Sequence, residues 1–416
     1  MFKTVWNCRS FFKDVNTFHR HISINIYLCR TLKMSTETTP SMESEKYPLP
    51  KLEDGRFQFP WGEKRPGVHQ VLWGFYKSKE TSGIPSKQEL DAIDAMKIQK
   101  LDTEKLFNPP STNIQATWLG HASYLIQFAG INVIFDPVFG DRIGPATSYG
   151  VGQARYRKCP VTDVSELPPI DIVCVSHDHY DHLDRTTVER LQAVHGDTIH
   201  WFLPLKFDDW MNSLGLKNVN VKTFNWWDED NIEIKNKSGE VKATIAFVPA
   251  QHWCLRGLTR KGLFPSSDEN TRLWGGWIVK SGGKTIYHAG DTGYCHIFKS
   301  IGERYGEIDL SLLPIGAYTP REVLKFQHIN PEEAVMIHQD VRSKQSLGMH
   351  WGTFELTKEP YLEPPDRLKK AMEEKELNPE HFIALKHGET KLIGDVSETV
   401  TPKQEILETE LELNKL

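Results

Sequence analysis

The chain has 416 residues, of which 39% are hydrophobic and 25% are charged, and its formal net charge is −5. This composition is typical of a globular protein with a large core, and the acidic balance argues against nucleic-acid binding, which needs basic patches. Six scattered Cys residues without C-x-x-C spacing argue against a thiolate metal site and favour a reducing compartment.

The N-terminal region differs in composition from the rest of the chain. The first 33 residues carry six Lys and Arg residues against one acid, Asp14. Such a start is typical either of a mitochondrial presequence or of a disordered extension, and both interpretations stay open. Residues 34–66 are rich in Ser, Thr, Glu, Lys and Pro, which favours a linker. We therefore predict a largely disordered extension over residues 1–58, one folded domain over 59–395 and a C-terminal tail over 396–416.

From residue 114 onward, short apolar runs alternate with turns, as in a protein built from strands. Strands are predicted at 114–119, 124–128, 132–135, 171–175, 243–248, 276–279, 285–288, 310–313 and 347–350. Helices are predicted at 186–193 and at 331–338, where Asn330 is the expected N-cap. Helices that lie between strands indicate an α/β layered domain.

The densest group of chemically active residues directly follows the predicted strand at 171–175. It reads Ser-His-Asp-His-Tyr-Asp-His-Leu-Asp over residues 176–184. Imidazole and carboxylate are the ligands that zinc takes when thiolate is absent. In an extended segment residues two apart share a face, so His177 and His179 can bind one ion together, while Asp181 and His182 can reach a second. A solvated His-rich loop would not explain so dense a group.

Three more potential ligands follow or end predicted strands. They are His252 in Gln-His-Trp, Asp291 in Gly-Asp-Thr-Gly and His350 in Met-His-Trp-Gly. Functional residues gather at strand ends on layered α/β folds. Each residue alone would more often be an ordinary polar side chain, but together with the loop they complete two coordination shells. The sequence therefore predicts a two-metal centre.

The run His-x-His-x-Asp-His, followed by His, Asp and His at strand ends in that order, resembles the metallo-β-lactamase superfamily. The resemblance implies an α/β fold of the four-layer αβ/βα sandwich type, with two Zn²⁺ ions between the sheets. It also implies a division of the ligands: His177, His179 and His252 for one ion, Asp181, His182 and His350 for the other, and Asp291 as the bridge.

Further segments narrow the resemblance to one family, the N-acyl-phosphatidylethanolamine-hydrolysing phospholipases D. They are Trp-Leu-Gly-His-Ala-Ser at 118–123, Phe-Asp-Pro-Val-Phe at 135–139, Ala-Gly-Asp-Thr-Gly-Tyr at 289–294, Pro-Ile-Gly-Ala-Tyr at 314–318, Gln-His at 327–328 and His-Trp-Gly-Thr-Phe at 350–354. The resemblance implies cleavage of N-acyl-phosphatidylethanolamine to N-acylethanolamine and phosphatidic acid. It also implies a homodimer attached peripherally to the cytosolic face of Golgi or endosomal membranes.

The same resemblance implies roles beyond metal binding. Asp181 or Asp291 would orient the attacking water, and His328 would contact the phosphate or protonate the leaving oxygen. Gln327 and Tyr180 would bind substrate, Tyr180 through its hydroxyl. Two alternatives stay open: Tyr180 packs beside the ligands, and His328 is a polar residue flanking a helix.

The apolar segment 202–216 also has two interpretations. It either lies at a membrane surface, with Phe207 and Trp210 at headgroup depth, or forms an amphipathic core helix after Pro204. Because fold does not determine function, a lactonase or a soluble phosphodiesterase is an alternative. A non-catalytic membrane-binding module is a second alternative, although the complete set of ligand types argues against it.

Overall fold

The structure, a computed structural model, describes residues 46–61, 65–83, 86–261 and 264–394. The basic residues 1–33 and the predicted C-terminal tail at 396–416 lie outside the described residues. Of the predicted N-terminal extension, residues 46–58 are described. The strands and helices predicted between residues 114 and 350 are confirmed, with ends that shift by a few residues at most.

Seven strands form the first sheet. In spatial order they are β10 (Asn220–Phe224), β9 (His200–Pro204), β8 (Ile172–Cys174), β5 (Ile131–Phe135), β4 (Ser123–Phe128), β3 (Ile114–Gly120) and β20 (Thr390–Ile393). The strands from β10 to β5 are parallel, and β4, β3 and β20 follow in antiparallel pairs. Every residue of β3, β4 and β8 is buried, which explains their nearly continuous apolar sequences.

A second sheet of seven strands faces the first. Its spatial order is β11 (Glu229–Asn236), β12 (Gly239–Val248), β15 (Gly276–Ser281), β16 (Lys284–His288), β17 (Ile308–Pro314), β18 (Ser343–Met349) and β19 (Phe382–Ala384). The strands from β11 to β16 are antiparallel, and those from β16 to β19 are parallel. Three small hairpins lie outside the sheets: β1 (Lys51–Glu53) with β2 (Arg56–Gln58), β6 (Arg142–Ile143) with β7 (Gln153–Ala154), and β13 (Leu258–Lys261) with β14 (Phe264–Ser267).

Helices cover the outer face of each sheet. The described α-helices are α1 (Val68–Lys77), α2 (Lys87–Ala92), α3 (Thr103–Phe107), α4 (Arg185–His195), α5 (Asp208–Ser213), α6 (Ile297–Tyr305), α7 (Arg321–Leu324), α8 (Pro331–Asp340) and α9 (Glu363–Glu374). Val188 and Leu191 of α4 pack in one apolar cluster with Val173 and Trp201 of the first sheet. On the other side, α8 contacts β17 and β18, and α9 contacts β19. The predicted four-layer αβ/βα sandwich is confirmed.

Buried aromatic side chains fix the two sheets against each other. Trp277 of β15 packs edge-on against Phe202 of β9, with ring centroids 6.3 Å apart, and its Nε1–H donates to the carbonyl of Val175 at 2.9 Å. The Tyr124 hydroxyl of β4 donates to the carbonyl of Gly348 in β18 at 2.9 Å. Buried Trp and Tyr side chains combine a large apolar area with one directional hydrogen bond. They therefore set which strand ends face each other across the interface.

Residues 51–58 form the β1–β2 hairpin. The sequence had instead predicted that they belong to a linker. Phe57 is buried in the main core. Just after the hairpin, Trp61 stacks on Trp226 with centroids 5.6 Å apart and donates to Gln251 Oε1 at 3.2 Å. Disorder up to residue 58 was the wrong prediction for this stretch, since widely spaced aromatic residues anchor it without giving a periodic pattern.

The segment 202–216 is partly buried and contributes Phe202, Leu203, Phe207 and Met211 to the core. Its first residues belong to β9, only Asp208–Ser213 is helical, and Phe207 is fully buried. The suggestion that Phe207 reaches lipid headgroups is therefore wrong, because the side chain packs under α4 in the cluster that also holds Met211. Among the described helices, none has the length and apolar content that a bilayer-spanning segment requires.

Candidate metal centre

The candidate site lies at one end of the sandwich, where strands of both sheets stop. The loop that contains Ser176–His182 follows β8, and Asp184 ends it by accepting a hydrogen bond from the Thr187 N–H at 3.0 Å as the N-cap of α4. His252, Asp291 and His350 follow β12, β16 and β18 of the second sheet. Because these strands end at the same edge, the fold brings together residues that lie far apart in the sequence.

The first group of predicted ligands is compact. The Nε2 of His177 lies 2.9 Å from Nδ1 of His179, and the Nε2 of His252 lies 3.2 Å from the same Nδ1. Two nitrogens bound to one tetrahedral zinc ion at about 2.1 Å are roughly 3.4 Å apart. The three nitrogens therefore stand close to the separation that a shared ion would impose, and the structure brings this predicted triad together.

The second group faces the first across a short gap. The Oδ2 of Asp181 lies 3.7 Å from Nε2 of His182 and 3.5 Å from Nε2 of His350. His182 and His350 are buried, and Asp181 is 13% exposed. The structure brings the three predicted residues together, and a ring nitrogen of His121 lies within 4.8 Å of their potential ligand atoms.

Asp291 lies between the two groups. Its Oδ2 is 3.1 Å from Nε2 of His350 and 3.3 Å from Nε2 of His182 in the second group. The same oxygen is 3.7 Å from Nε2 of His252 and 4.0 Å from Nε2 of His177 in the first group. A single carboxylate within reach of both sets is the arrangement expected of a bridging ligand.

Hydrogen bonds on the far side of the rings orient several ligands. Nδ1 of His252 lies 2.9 Å from the carbonyl oxygen of Gln327, and Nδ1 of His182 lies 2.7 Å from Oδ2 of Asp136. Asp136 also accepts from the N–H and hydroxyl of Ser176, each at 2.6 Å. These contacts place the Nδ1 proton on the outside and leave Nε2 free to bind a cation. Asp136 lies in the motif Phe-Asp-Pro-Val-Phe, from which no role for it was predicted.

The inner atoms of the site fit a divalent cation. Nε2 of His182, Nε2 of His350 and Oδ1 of Asp291 are buried and make no hydrogen bond within the described part of the chain. Buried polar atoms without a partner are costly, and a cation at the centre would satisfy all three. The donors are imidazole nitrogens and carboxylate oxygens with no thiolate, a set that suits zinc.

Oppositely charged side chains in this cluster compensate one another. Burial opposes the charged form of His350, but the nearby carboxylates of Asp291 and Asp181 outweigh it and raise its pKa to about 9. Burial would likewise raise the pKa of Asp291, yet His182 and His350 hold it well below its ordinary value. In the first group burial dominates and lowers the pKa of His177 and His252 well below the ordinary value of histidine. Asp291 is therefore ionised and His177 and His252 are neutral, as metal binding requires, whereas His350 carries a proton that a bound ion would displace.

His328 lies at the edge of the metal ligands. Its Nδ1 is 3.7 Å from Oδ2 of Asp291 and has no hydrogen-bond partner among the described residues. Burial lowers the pKa of His328 to about 4, so the ring is neutral at physiological pH. Its backbone is held by Arg321, whose guanidinium donates to the His328 carbonyl at 2.6 Å. This placement suits contact with a substrate atom next to the metals.

The other two predicted substrate residues are placed differently. The backbone carbonyl of Gln327 orients His252, and its side chain is largely buried. The Tyr180 hydroxyl donates to the carbonyl of Arg256 at 2.7 Å, and its ring lies under the Arg256 guanidinium. In this conformation Tyr180 holds the ligand loop against the segment after His252, so its hydroxyl is already used.

His121 is a neighbour of the site to which the sequence analysis assigned no role. It lies in the turn between β3 and β4, and its Nε2 is 2.8 Å from Oδ2 of Asp181. Burial lowers the pKa of His121 to about 3. The motif Trp-Leu-Gly-His-Ala-Ser had pointed to this residue, but its distance from the other ligands along the chain hid the contact.

Comparisons with known proteins agree with this geometry. Residues 131–351 match the family described as "Beta-lactamase superfamily domain". The chain is 37% identical over 369 residues to "N-acyl-phosphatidylethanolamine-hydrolyzing phospholipase D 1" of Caenorhabditis elegans, a match that covers 86% of this chain and 98% of that protein. It is 35% identical over 308 residues to "N-acyl-phosphatidylethanolamine-hydrolyzing phospholipase D, mitochondrial" of Saccharomyces cerevisiae, covering 72% of this chain and 61% of that protein. It is also 29% identical to "UPF0173 metal-dependent hydrolase MK1542" of Methanopyrus kandleri, covering 67% of this chain and 99% of that protein.

Proposed function

The chain belongs to the N-acyl-phosphatidylethanolamine-hydrolysing phospholipase D family of the β-lactamase superfamily and is a metal-dependent hydrolase, and from this premise we propose its cofactor, products and site roles. It binds two Zn²⁺ ions and cleaves N-acyl-phosphatidylethanolamine to N-acylethanolamine and phosphatidic acid. The observation that carries the metal assignment is Asp291 Oδ2, which lies within 4.0 Å of ring nitrogens from both ligand groups.

The ligands would divide between the two ions as the family resemblance implies. His177, His179 and His252 would hold one ion, Asp181, His182 and His350 would hold the other, and Asp291 would contribute to both sites. When bound, two zinc ions supply Lewis acidity and an activated water for attack on a phosphodiester. The protein contributes a buried, pre-oriented donor set, because Asp136 and the Gln327 carbonyl fix the rings of His182 and His252 before any ion arrives.

His328 contacts the phosphoryl group of the substrate. Its unpartnered Nδ1 lies beside Asp291, so a phosphoryl oxygen or the leaving oxygen held at the ligand cluster would come within its reach. If His328 were only a polar residue that flanks a helix, its buried Nδ1 would have no function. Asp181 or Asp291, as an ionised carboxylate, orients the attacking water through a hydrogen bond.

The substrate is a phospholipid, so the enzyme must reach a membrane surface. Helix α1 offers the exposed apolar face for this: Leu72, Trp73 and Tyr76 are 66%, 56% and 79% exposed, and Trp73 stacks on Tyr76. Amphipathic helices with exposed aromatic residues bind the headgroup region of bilayers. The helix packs on α7, where a Cβ at Gly74 would come within 2.8 Å of Val323, and α7 leads directly to the turn with Gln327 and His328. The proposed membrane face therefore lies next to the substrate-binding turn.

We place the enzyme on the cytosolic face of internal membranes, as a homodimer. Golgi or endosomal membranes and mitochondria are the two locations to compare. The mitochondrial location rests on the basic first 33 residues and on the name of the yeast relative. Fluorescent fusions of the full chain and of a chain that begins at Met34 would separate the two.

The function is tested by lipid hydrolysis with purified wild type and its Asp291→Asn and His177→Ala variants. Vesicles that contain N-acyl-phosphatidylethanolamine are supplied, and both products are followed by mass spectrometry while zinc is measured on the same samples. We expect wild type to hold two zinc ions per chain and to release both products. Each variant should lose metal and at least about 100-fold in activity, because each removes an inner ligand.

One outcome would redirect the assignment. A wild-type protein that binds two metals but leaves the lipid intact would contradict the proposed products. Soluble phosphodiesters and lactones are then the substrates to try, since other hydrolases use this fold. A protein that binds metal and vesicles but hydrolyses none of these would support a non-catalytic membrane module.

A further inference from the structure

His121 is a buried histidine that contacts the metal centre from outside the two ligand groups. We propose that His121 is a positioning residue: it donates its Nε2–H to Oδ2 of Asp181 and holds that carboxylate in the orientation that the second metal ion requires. The inference rests on the two-metal centre proposed above. The proposal is based on the 2.8 Å distance between Nε2 of His121 and Oδ2 of Asp181, and on the way in which the backbone fixes the ring.

The backbone of His121 is held in an uncommon conformation. Gly120 and His121 have φ angles of +100° and +55°, at a point where the pairing of β3 with β4 shifts register. A residue other than Gly adopts the left-handed region at an energetic cost and persists there only when its surroundings over-determine it. Backbone strain of this kind next to a site is consistent with a residue that is needed in one exact orientation.

Three hydrogen bonds supply that constraint. The His121 N–H donates to Oγ1 of Thr353 at 2.8 Å, and the His121 carbonyl accepts from Nε1–H of Trp118 at 2.9 Å and from the N–H of His350 at 3.0 Å. The last bond joins His121 directly to a metal ligand. The His121 ring also packs on the His350 ring, with centroids 3.9 Å apart. His121 is therefore fixed relative to the second ligand group.

Asp181 needs such a contact more than the other ligands do. It is the partly exposed member of its group, and within the described residues the hydrogen bond to its side chain comes from His121. The rings of His182 and His350 approach the same oxygen only to 3.7 and 3.5 Å, as fellow ligands would. The terminal torsion of an Asp side chain is broad, so without a donor the carboxylate can rotate away from the ion.

The geometry points to a donor and not to a further ligand. Oδ2 of Asp291 marks the middle of the centre, and the five His residues within 4.0 Å of it are His177, His182, His252, His328 and His350. His121 is absent from this set of described contacts. One of its ring nitrogens lies within 4.8 Å of potential ligand atoms of Asp181, His182 and His350, but its Nε2 is 2.8 Å from Oδ2 of Asp181, which is a hydrogen-bond distance. A neutral imidazole that donates to a ligating carboxylate fixes the ligand and is typically worth 10- to 100-fold in metal affinity.

Two variants at one position test the proposal. His121→Gln keeps an N–H donor at about the position of Nε2, whereas His121→Leu has similar bulk and no donor. Both variants place a side chain on the left-handed backbone at residue 121, so the backbone strain is similar in the two and does not affect their comparison. His338→Leu serves as a control, because His338 is also buried but bonds to Ser346 on the far side of the second sheet.

The measurement is zinc binding by competition with a chromophoric chelator, together with the absorption spectrum of the Co²⁺-substituted protein. In the Leu variant we expect one of the two ions to bind 10- to 100-fold more weakly, with the other unchanged. The Gln variant should return to within about threefold of wild type and keep its Co²⁺ spectrum. The His338→Leu control should bind both ions as wild type does.

Three results would overturn the inference while the proposed function stands. They are wild-type affinity for both ions in the Leu variant, equal loss of both ions, and a Gln variant whose Co²⁺ spectrum shows one nitrogen ligand fewer, which would make His121 a ligand. A wild-type protein with fewer than two ions is a different failure: it would contradict the two-metal assignment and this inference with it.

Discussion

Identical residues acquire different chemistry from their surroundings in this protein. Two carboxylates raise the pKa of His350 to about 9 against the effect of burial. In contrast, burial and the neighbouring His381 lower the pKa of His338 to about 4, where Nδ1 shares a 2.7 Å hydrogen bond with the Ser346 hydroxyl. The first histidine belongs to the candidate metal centre, and the second is a structural residue held neutral.

The change in folding stability with pH should report the protonation of His338. The pKa of His338 is about 4 in the folded protein and about 6.5 in the unfolded chain. Between these two pH values the side chain is protonated in the unfolded chain and neutral in the folded protein. The free energy of unfolding should fall as the pH drops from 6.5 to 4, by up to roughly 3 kcal/mol from this group. Urea unfolding of wild type and His338→Gln across this range measures the effect. The stability of wild type relative to the variant should fall by this amount between pH 6.5 and 4, and a constant difference would refute the assignment.

At the scale of elements, the site depends on where strands stop. Ligands follow β8, β12, β16 and β18, while α4 and α8 begin with caps that end the connecting segments: Asp184 accepts from the Thr187 N–H, and Asn330 accepts from the Glu333 N–H at 2.9 Å. Helix α1 is different, because its exposed apolar side covers nothing in the described residues. A helix face of this kind at the rim of a lipid-hydrolysing site has a reason to stay exposed.

Removal of that face should weaken attachment to vesicles. Replacement of both Trp73 and Tyr76 by Ala removes two aromatic rings from the exposed side of α1, and we expect at least a tenfold loss in binding to phospholipid vesicles in a sedimentation assay. Hydrolysis of the lipid dispersed in detergent micelles should change much less, because the metal ligands are untouched. Phe107→Ala on α3 is the matched control, since Phe107 is also exposed at 48%. Equal binding by the double variant and the control would reject α1 as the membrane face.

For the whole molecule, the two sheets meet in the core and again at the metal centre. Trp277 and Tyr124 cross the interface through buried hydrogen bonds, and the proposed ions would join His177 of the first sheet to His252 and Asp291 of the second. A ligand that binds only the folded state adds to its stability in proportion to the logarithm of its concentration over Kd. The metals should therefore act as a structural tie as well as a catalytic group.

Metal removal should lower the melting temperature. At free zinc of about 1,000 times Kd each ion contributes about 4 kcal/mol, so a chelator should reduce the Tm by several degrees. Calorimetry with and without EDTA measures this, and EDTA preloaded with zinc is the control for a direct effect of the chelator. An unchanged Tm would mean that the ions do not tie the sheets together.

The sequence alone predicted the fold class, most of the central strands and the seven metal-ligand candidates, because hydrophobic runs and the dense His and Asp loop are local patterns. The role of His121, the orientation of His182 by Asp136 and the burial of Phe207 depend on contacts between distant segments. The anchored hairpin at 51–58 was also missed, since a few isolated aromatic residues such as Phe57 and Trp61 leave no periodic signal. Only the packing of two sheets decides which strand ends meet, so only the tertiary structure shows which side chains share a proton or could share an ion.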